Sequence, residues 1–468
     1  MSNEAVEKEN ILKPFSTVQL LNFCLGFFGL QFAWQMRIIL SGPVTEGLGA
    51  SPLIFGLIWL AGPVTGMLVQ PIIGELSDKT HTIFGKRRPY LFAGAIFASL
   101  ALWAFPNSAE IWEKLAGFCN IPEIAFGGLI IAAIMIWIID ACVNAAQGPY
   151  RALVPDLVPQ EQHALANSYL SFAIGLGSVV AAGTAPFLKY VCNYQMSINA
   201  QFVMAALAFS LAMLWTCITT KEHKYKKNEF VETSEEKNEK LKGHSFIQKV
   251  VEFFSSSPEV AKICTLQLFT WIGIMSLNIF FTQYAIHTVF GVPDLTTATE
   301  EIKNSYMATI NKATNFSSIC FAIQNLICFL VSIPIGLLST KFGNKRVHFI
   351  SLITLALTFV GMGLYKEPGF VLLCMAIAGI GWASILALPF AMLSEFIKKG
   401  SEGSVMGIFN IFIAGPQVLV CTLLAWFVSQ CAYNVPLGIN YHWEYAFLIG
   451  AITLLIAAVI TNLINEKK

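Results

Sequence analysis

The stretch FGGLIIAAIMIWIIDACVNAAQGPYRALVPDL, residues 126–157, decides the fold. It opens on an apolar run long enough to cross a bilayer, which takes about 20 residues. Asp140 lies sixteen residues in from the start of that run at 124, near mid-membrane. An Asp at the centre of a spanning helix costs about 2.5–3.5 kcal/mol on insertion scales, so it faces the bundle interior rather than lipid. Asn144, Gln147 and Arg151 follow Asp140 at i+4, i+7 and i+11. Eleven residues at about 100° each return to within about 20° of the start and rise roughly 16 Å. The four form one polar stripe on a helix otherwise made mostly of Ile, Ala and Met. Polar contacts between spanning helices normally use Ser, Thr or Asn. A stripe holding both an Asp and an Arg asks for more. Burial and a nearby cation pull a carboxyl in opposite directions, and a site held between them can carry a proton. Gly148-Pro149 is a helix-breaking pair and leaves the direction of Arg151 open.

The rest of the chain has the same character. Its 468 residues are 56% hydrophobic and 12% charged, with a formal net charge of +1 and a mean hydropathy of +0.65. A soluble domain carries about 25% charge. Such a chain cannot cover a soluble globule. It is excluded as an ordinary cytosolic enzyme, as a disordered scaffold and as a nucleic-acid binder working through a basic surface. Thirty-seven Phe and ten Trp suit lipid-facing surfaces and interfacial belts. The eleven Cys show no CxxC pair; most lie inside apolar runs and read as buried free thiols. MSNEAVEKEN at residues 1–10 has no basic n-region, so no cleavable signal peptide is expected.

Twelve candidate spans follow, at 15–40, 52–74, 89–106, 124–148, 164–188, 196–219, 262–286, 315–338, 347–365, 369–394, 404–429 and 443–464. The fold class is all-α, a polytopic membrane protein with two pseudo-symmetric six-helix bundles. The expected organisation is an N-terminal bundle over 1–219, a Lys/Glu-rich cytoplasmic linker over 220–261 and a C-terminal bundle over 262–468. Within the linker, Ser245 to Phe254 reads as an amphipathic surface helix or as plain linker. With the N-terminus inside, 23 Lys and Arg fall in inner segments and five in outer ones. Without the nine basic residues of the linker region the ratio is still 14 to five. Both termini are therefore expected in the cytoplasm. Arg37, inside the first span, belongs to neither set.

The halves repeat each other. Gly74-Glu-Leu-Ser-Asp-Lys79 and Phe84-Gly-Lys-Arg-Arg88 follow the second span; Gly336-Leu-Leu-Ser-Thr-Lys341 and Phe342-Gly-Asn-Lys-Arg346 follow the eighth. Gly148-Pro-Tyr-Arg-Ala-Leu153 is echoed by Leu388-Pro-Phe-Ala-Met-Leu393. Asp78 and Arg87 or Arg88 at the ends of adjacent helices can pair and gate; plain positive-inside charge is the alternative. This arrangement resembles the major facilitator superfamily, whose G-x-x-x-D-[RK]…G-[RK]-[RK] loop stands here as Gly74, Asp78, Lys79, Gly85, Lys86 and Arg87. In the second half Thr340 takes the acidic position.

The block from Asp140 to Asp156 is similar to the D-x-x-x-N-x-x-Q-G-P-x-R-A-L-x-x-D pattern of sucrose–proton symporters, in the glycoside–pentoside–hexuronide group. Gly29-Leu-Gln-Phe-Ala-Trp34, Gly85-Lys-Arg-Arg-Pro-Tyr90 and Gly381-Trp-Ala-Ser384 also resemble motifs of that group. The resemblance implies that Asp140 binds the proton and that Arg151 is needed for sugar transport. Arg37 departs from it, since the group usually has a neutral polar residue there. Arg37 needs a partner, with Asp140 and Glu46 as the candidates, or it snorkels to the interface.

The expected function is proton-coupled uptake of a disaccharide, sucrose or another α-glucoside, by alternating access. Candidate sugar-binding residues are Gln31, Trp34, Gln35, Arg37, Asn144, Gln147, Trp271, Asn278, Gln324, Asn325 and Trp382. Amides would meet the hydroxyls and tryptophans the C–H face of the sugar. Gln283 and Thr282 are weaker members; His287 reads as ordinary. The rivals are a sodium-coupled carrier of the same group, a non-transporting sugar sensor and a membrane enzyme. The enzyme would want a catalytic cluster that the seven scattered His do not form. No P-loop GxxxxGK[ST] occurs, which speaks against an ATP-driven pump. No cofactor, metal or nucleic-acid partner is expected. The short termini and lean loops point to a bacterial inner membrane rather than a plant plasma membrane, and a monomer is expected.

Overall fold

A computed structural model describes residues 14–80, 82–120, 122, 124, 126–159, 162–222, 258–296, 298–394, 396, 402–436 and 438–465. Twelve helical spans among these residues are long and apolar enough to cross a membrane. The N-terminal half holds α1 (Thr17–Gly47), α2 (Pro52–Trp59), α3 (Ala61–Lys79), α4 (Arg88–Ala104), α5 (Ser108–Cys119), α6 (Gly127–Leu157), α7 (His163–Tyr190) and α8 (Ile198–Thr219). The C-terminal half holds α9 (Pro258–Gln283), α10 (Glu300–Phe342), α11 (Asn344–Leu364), α12 (Pro368–Ser394), α13 (Glu402–Leu419), α14 (Ala425–Gln430) and α15 (Glu444–Asn462). The amphipathic helix read at 245–254 lies outside the described residues.

Several boundaries differ from the sequence reading for physical reasons. The third span continues past 106 through a 3₁₀ turn at Phe105–Asn107 into α5, ending at Cys119. The eighth begins at Glu300 rather than 315. Its first turns are polar but suited to a helix N-terminus: Glu300 and Glu301 face the positive end of the dipole, and Lys303 Nζ reaches Glu300 at 2.9 Å. A hydropathy window sees only the apolar part. α9 begins at Pro258, so its first turn occupies the end of the stretch read as linker. α6 runs unbroken through Gly148-Pro149, so the pair does not end the helix. A short antiparallel hairpin, β1 (Ala432–Val435) with β2 (Gly438–Tyr441), interrupts the all-α reading.

The packing order shows the pseudo-symmetry directly. In the first half the first span packs on the fifth and sixth, and the fourth on the second and third. In the second half the seventh packs on the eleventh and twelfth, and the tenth on the eighth and ninth. Close approach needs small residues. A Cβ on Gly29 would stand 2.6 Å from the Ala208 carbonyl oxygen, and one on Gly177 would stand 2.5 Å from that of Phe28. These glycines set α8 and α7 against α1.

The two halves meet along three seams: first span with seventh, second with eleventh, fifth with eighth. Toward the end away from the termini, here the distal end, Phe55 meets Phe280 with ring centroids 6.3 Å apart. There Asn315 Nδ2 also donates to Gln195 Oε1 at 3.1 Å. Gly56 lies against the carbonyl of Cys421, in a π-helical turn at Val420–Leu424.

Candidate functional site

α1 brings Arg37 to the middle of the molecule and α6 brings Asp140. Arg37 Nη2 donates to Asp140 Oδ2 at 2.6 Å, with the side chains 1% and 0% exposed. Charges this buried are costly to leave single and tolerable as a pair. Of the two partners the sequence allowed for Arg37, the structure gives Asp140. The guanidinium also lies between two indoles: its carbon is 4.3 Å from the Trp59 ring centroid and 5.2 Å from that of Trp34. Cation–π contacts of this kind hold a desolvated Arg in one orientation. Gly62 of α3 lies beside the pair: a Cβ there would meet Asp140 Oδ2 at 3.5 Å and Trp34 at 3.8 Å, in ordinary van der Waals contact. Asp140 Oδ1, Arg37 Nε and Arg37 Nη1 find no hydrogen-bond partner among the described residues. The site therefore has both acceptor and donor capacity in reserve.

Below Asp140 the stripe is tied to α3. Asn144 Nδ2 donates to Thr65 Oγ1 at 2.9 Å. Gln70 Nε2 donates to Asn144 Oδ1 at 2.7 Å and to Gln147 Oε1 at 3.1 Å. Arg151 is exposed on the helix side, its guanidinium carbon 5.7 Å from the Phe27 ring centroid. It shares the stripe with Asp140 but stands about three turns away along the axis.

The C-terminal half contributes fewer contacts. Asn325 Nδ2 reaches Gln35 Oε1 across the halves at 3.3 Å and also donates to the Phe321 carbonyl at 2.8 Å. Gln35 and Gln324 are buried. Gln31 is half-buried on α1, its Cβ near Gly177 of α7. Trp271 and Trp382 meet edge to face at 5.9 Å, and the Trp271 indole N–H is unpartnered among the described residues. Asn278 faces Met275 Sδ at 3.8 Å.

At the end carrying the termini, Arg87 is the centre of a polar cluster. Its Nε meets Asp156 Oδ2 at 2.9 Å and its Nη1 meets Ser77 Oγ at 2.5 Å. The side chain of Asp78 lies outside the described residues. Glu222 accepts from the backbone N–H of Arg87 at 3.0 Å and of Arg88 at 3.1 Å, capping α4. Burial pushes the Glu222 carboxyl above the usual range, against the pull of these two N–H groups and the Arg88 charge. Arg88 Nη1 also donates to the Cys217 carbonyl at 3.0 Å.

The sequence reading missed Trp59, Thr65, Gln70 and Glu222. Trp59 sits in an apolar run and reads as core. Gln70, a lone amide in the second span, was visible as a signal.

Residues 28–299 match the family model for MFS/sugar transport protein, and residues 302–467 match the model for the Major Facilitator Superfamily. The chain belongs to the major facilitator superfamily. Among its curated relatives, sucrose transport protein SUT2 of Oryza sativa subsp. indica is 26% identical over 426 residues, covering 84% of this chain and 83% of the relative. Sucrose transport protein SUC4 of Arabidopsis thaliana is 25% identical over 422 residues, covering 84% and 80%. The crystal structure of nucleoside transporter NupG superposes with a TM-score of 0.66 at 13% identity, over 97% of this chain and 100% of that one. That of a D-xylose-proton symporter gives 0.61 at 16% identity, over 95% and 97%. These structures speak for the facilitator fold. The superfamily assignment places the chain among transporters rather than enzymes.

Proposed function

We propose that this facilitator takes up a disaccharide, sucrose or another α-glucoside, together with a proton. The buried Arg37–Asp140 pair is the observation that carries the reading. With Asp140 ionised the pair is neutral and Arg37 Nη2 is engaged. A proton arriving on Asp140 Oδ1 leaves a neutral acid and frees the guanidinium. Trp34 and Trp59 hold that guanidinium in place, so its N–H groups are ready for sugar hydroxyl oxygens. Sugar and proton thus favour the same state. The loaded site carries one extra positive charge inward, which gains about 2.3 kcal/mol at 100 mV. The empty site returns as a neutral pair and does not work against the potential. Asn144, Gln147 and Gln35 are the amides proposed to meet further hydroxyls. Trp271 and Trp382 are proposed to stack on the ring from the other half. Arg151 is proposed to serve translocation nearer the cytoplasm. Arg87 with Asp156 is proposed to lock the cytoplasmic end, both termini lying on that side.

The test is accumulation of labelled sugars by proteoliposomes under an imposed gradient. The reading expects α-glucosides to accumulate under an inward proton gradient without sodium. Accumulation that follows a sodium gradient alone overturns the coupling; counterflow with no disaccharide overturns the substrate.

A further inference from the structure

Arg37 and Glu46 both lie on α1 but meet different helices: Arg37 meets Asp140 of α6, and Glu46 meets Gln283 of α9. Glu46 is nine residues beyond Arg37 on α1, about 13 Å farther along the axis. It lies at the distal end, where the halves touch. Glu46 Oε2 accepts from Gln283 Nε2 at 2.5 Å and lies 2.9 Å from His287 Nε2, both in the seventh span. Gly42 gives Gln283 its seat, since a Cβ there would stand 2.7 Å from Gln283 Oε1. A π-helical turn at Tyr284–Val289 turns His287 toward the partner half. Such turns are uncommon and tend to mark functional positions. Trp443 stacks on the imidazole at 5.7 Å and 15°, and the His287 and Glu46 side chains are only 2% and 14% exposed.

The proton count follows from hydrogen-bond chemistry. His287 Nδ1 lies 2.9 Å from the Val292 carbonyl oxygen, which can only accept. Nδ1 therefore carries a hydrogen. Nε2 faces a carboxylate oxygen that already accepts from Gln283. That contact is favourable only if one proton lies between Nε2 and Oε2. Without it, a ring lone pair faces an oxygen lone pair and the contact becomes repulsive. The titratable groups around His287 are Glu46 from α1, Asp294 in the following loop, Tyr441 on β2, which is coupled to Asp294, and Glu444, reached through Thr288 at 3.4 Å.

We infer that Glu46 and His287 form a second proton-binding site, distinct from Asp140, which tightens the contact between the two halves at the distal end while it keeps its proton, beside a Gln283–Glu46 bond that persists without it. Closing that end takes up one proton; losing it, with His287 retaining Nδ1–H on Val292, turns the Glu46–His287 contact repulsive and loosens the seam. Proton concentration on that side then sets how readily the end closes, whatever the substrate. The inference goes beyond the sugar–proton reading and does not depend on it.

The test is hydrogen exchange of segments 42–60 and 283–296 in the full-length protein in lipid nanodiscs, from about pH 5 to about pH 9, corrected for intrinsic rates. Wild type should show exchange in both segments rising together by about tenfold as pH increases. Asp140→Asn should keep that rise. His287→Gln and Glu46→Gln should lose it, because an amide bridges the seam at every pH. The double variant Glu46→Gln/His287→Gln, with paired amides, should stay protected throughout. Exchange independent of pH in wild type overturns the inference. So does an unchanged pH rise in the double variant.

Discussion

Arg37 and Asp140, 103 residues apart in sequence, form a 2.6 Å ion pair that is buried on both sides. The pair joins the first span to the fourth in the middle of a membrane protein. Everything else in the candidate site is arranged around it: two indoles on the cation, a glycine beside the anion, and an amide ladder below.

The pair's mutual dependence is measurable. Arg37→Gln leaves Asp140 buried without its cation and should lower thermal stability by about 3–5 kcal/mol equivalents, as breaking a buried pair does. Arg37→Gln/Asp140→Asn, which removes both charges, should recover most of that loss. Unfolding of purified protein in detergent by scanning fluorimetry checks both, and additive losses in the double variant would show that the pair does not act as a unit.

Trp59 is predicted to position Arg37. Trp59→Leu keeps the apolar bulk but removes the face 4.3 Å from the guanidinium. Sugar kcat/KM should fall by about tenfold or more, in line with a desolvated cation–π contact of about 2 kcal/mol. The pH dependence of uptake should shift as well, whereas Trp59→Phe should restore much of both. A merely structural role would leave the pH profile in place.

The proposed lock at the terminal end should depend on charge complementarity. Asp156→Arg or Arg87→Asp alone should impair uptake several-fold, and the swap Arg87→Asp/Asp156→Arg should return part of it, since the 2.9 Å contact can re-form with the signs reversed. Initial uptake rates normalised to surface expression decide the matter.

Glu222 gives a pH-dependent stability with a definite sign. Its carboxyl is pushed above the ordinary range by burial. Between the ordinary and the raised value the folded protein binds the extra proton, so stability falls as pH rises through that window. Glu222→Gln keeps an acceptor for the Arg87 and Arg88 N–H groups and should flatten the fall. Melting temperature against pH, wild type against variant, reads it out.

The polar stripe and the twelve spans were legible in the sequence because each follows from periodicity or hydropathy along one helix, and the paired loops because the same short motif recurs in both halves. Which helix a stripe faces is not. A helical wheel places Asp140 inside the bundle but cannot choose between Arg37 and another cation. Trp59 carried no signal, since an indole in an apolar run is ordinary until a guanidinium lies on it. His287 read as ordinary because its meaning comes from a π turn and from Glu46 on another half. Asp156, quoted in the fourth-span motif, emerged as the partner of Arg87 only once α4 and α6 were packed. The long eighth helix hid its first turns behind polar residues that favour a helix start.

The most direct test of the central claim is sugar-induced proton uptake in proteoliposomes holding wild type or Asp140→Asn, followed with a pH-sensitive dye. Wild type should alkalinise the medium on adding sucrose or another transported α-glucoside. Asp140→Asn should show no such signal and no pH-driven accumulation, while sugar counterflow persists. Alkalinisation by the variant equal to that of wild type would contradict the assignment of Asp140 as the coupling carboxylate.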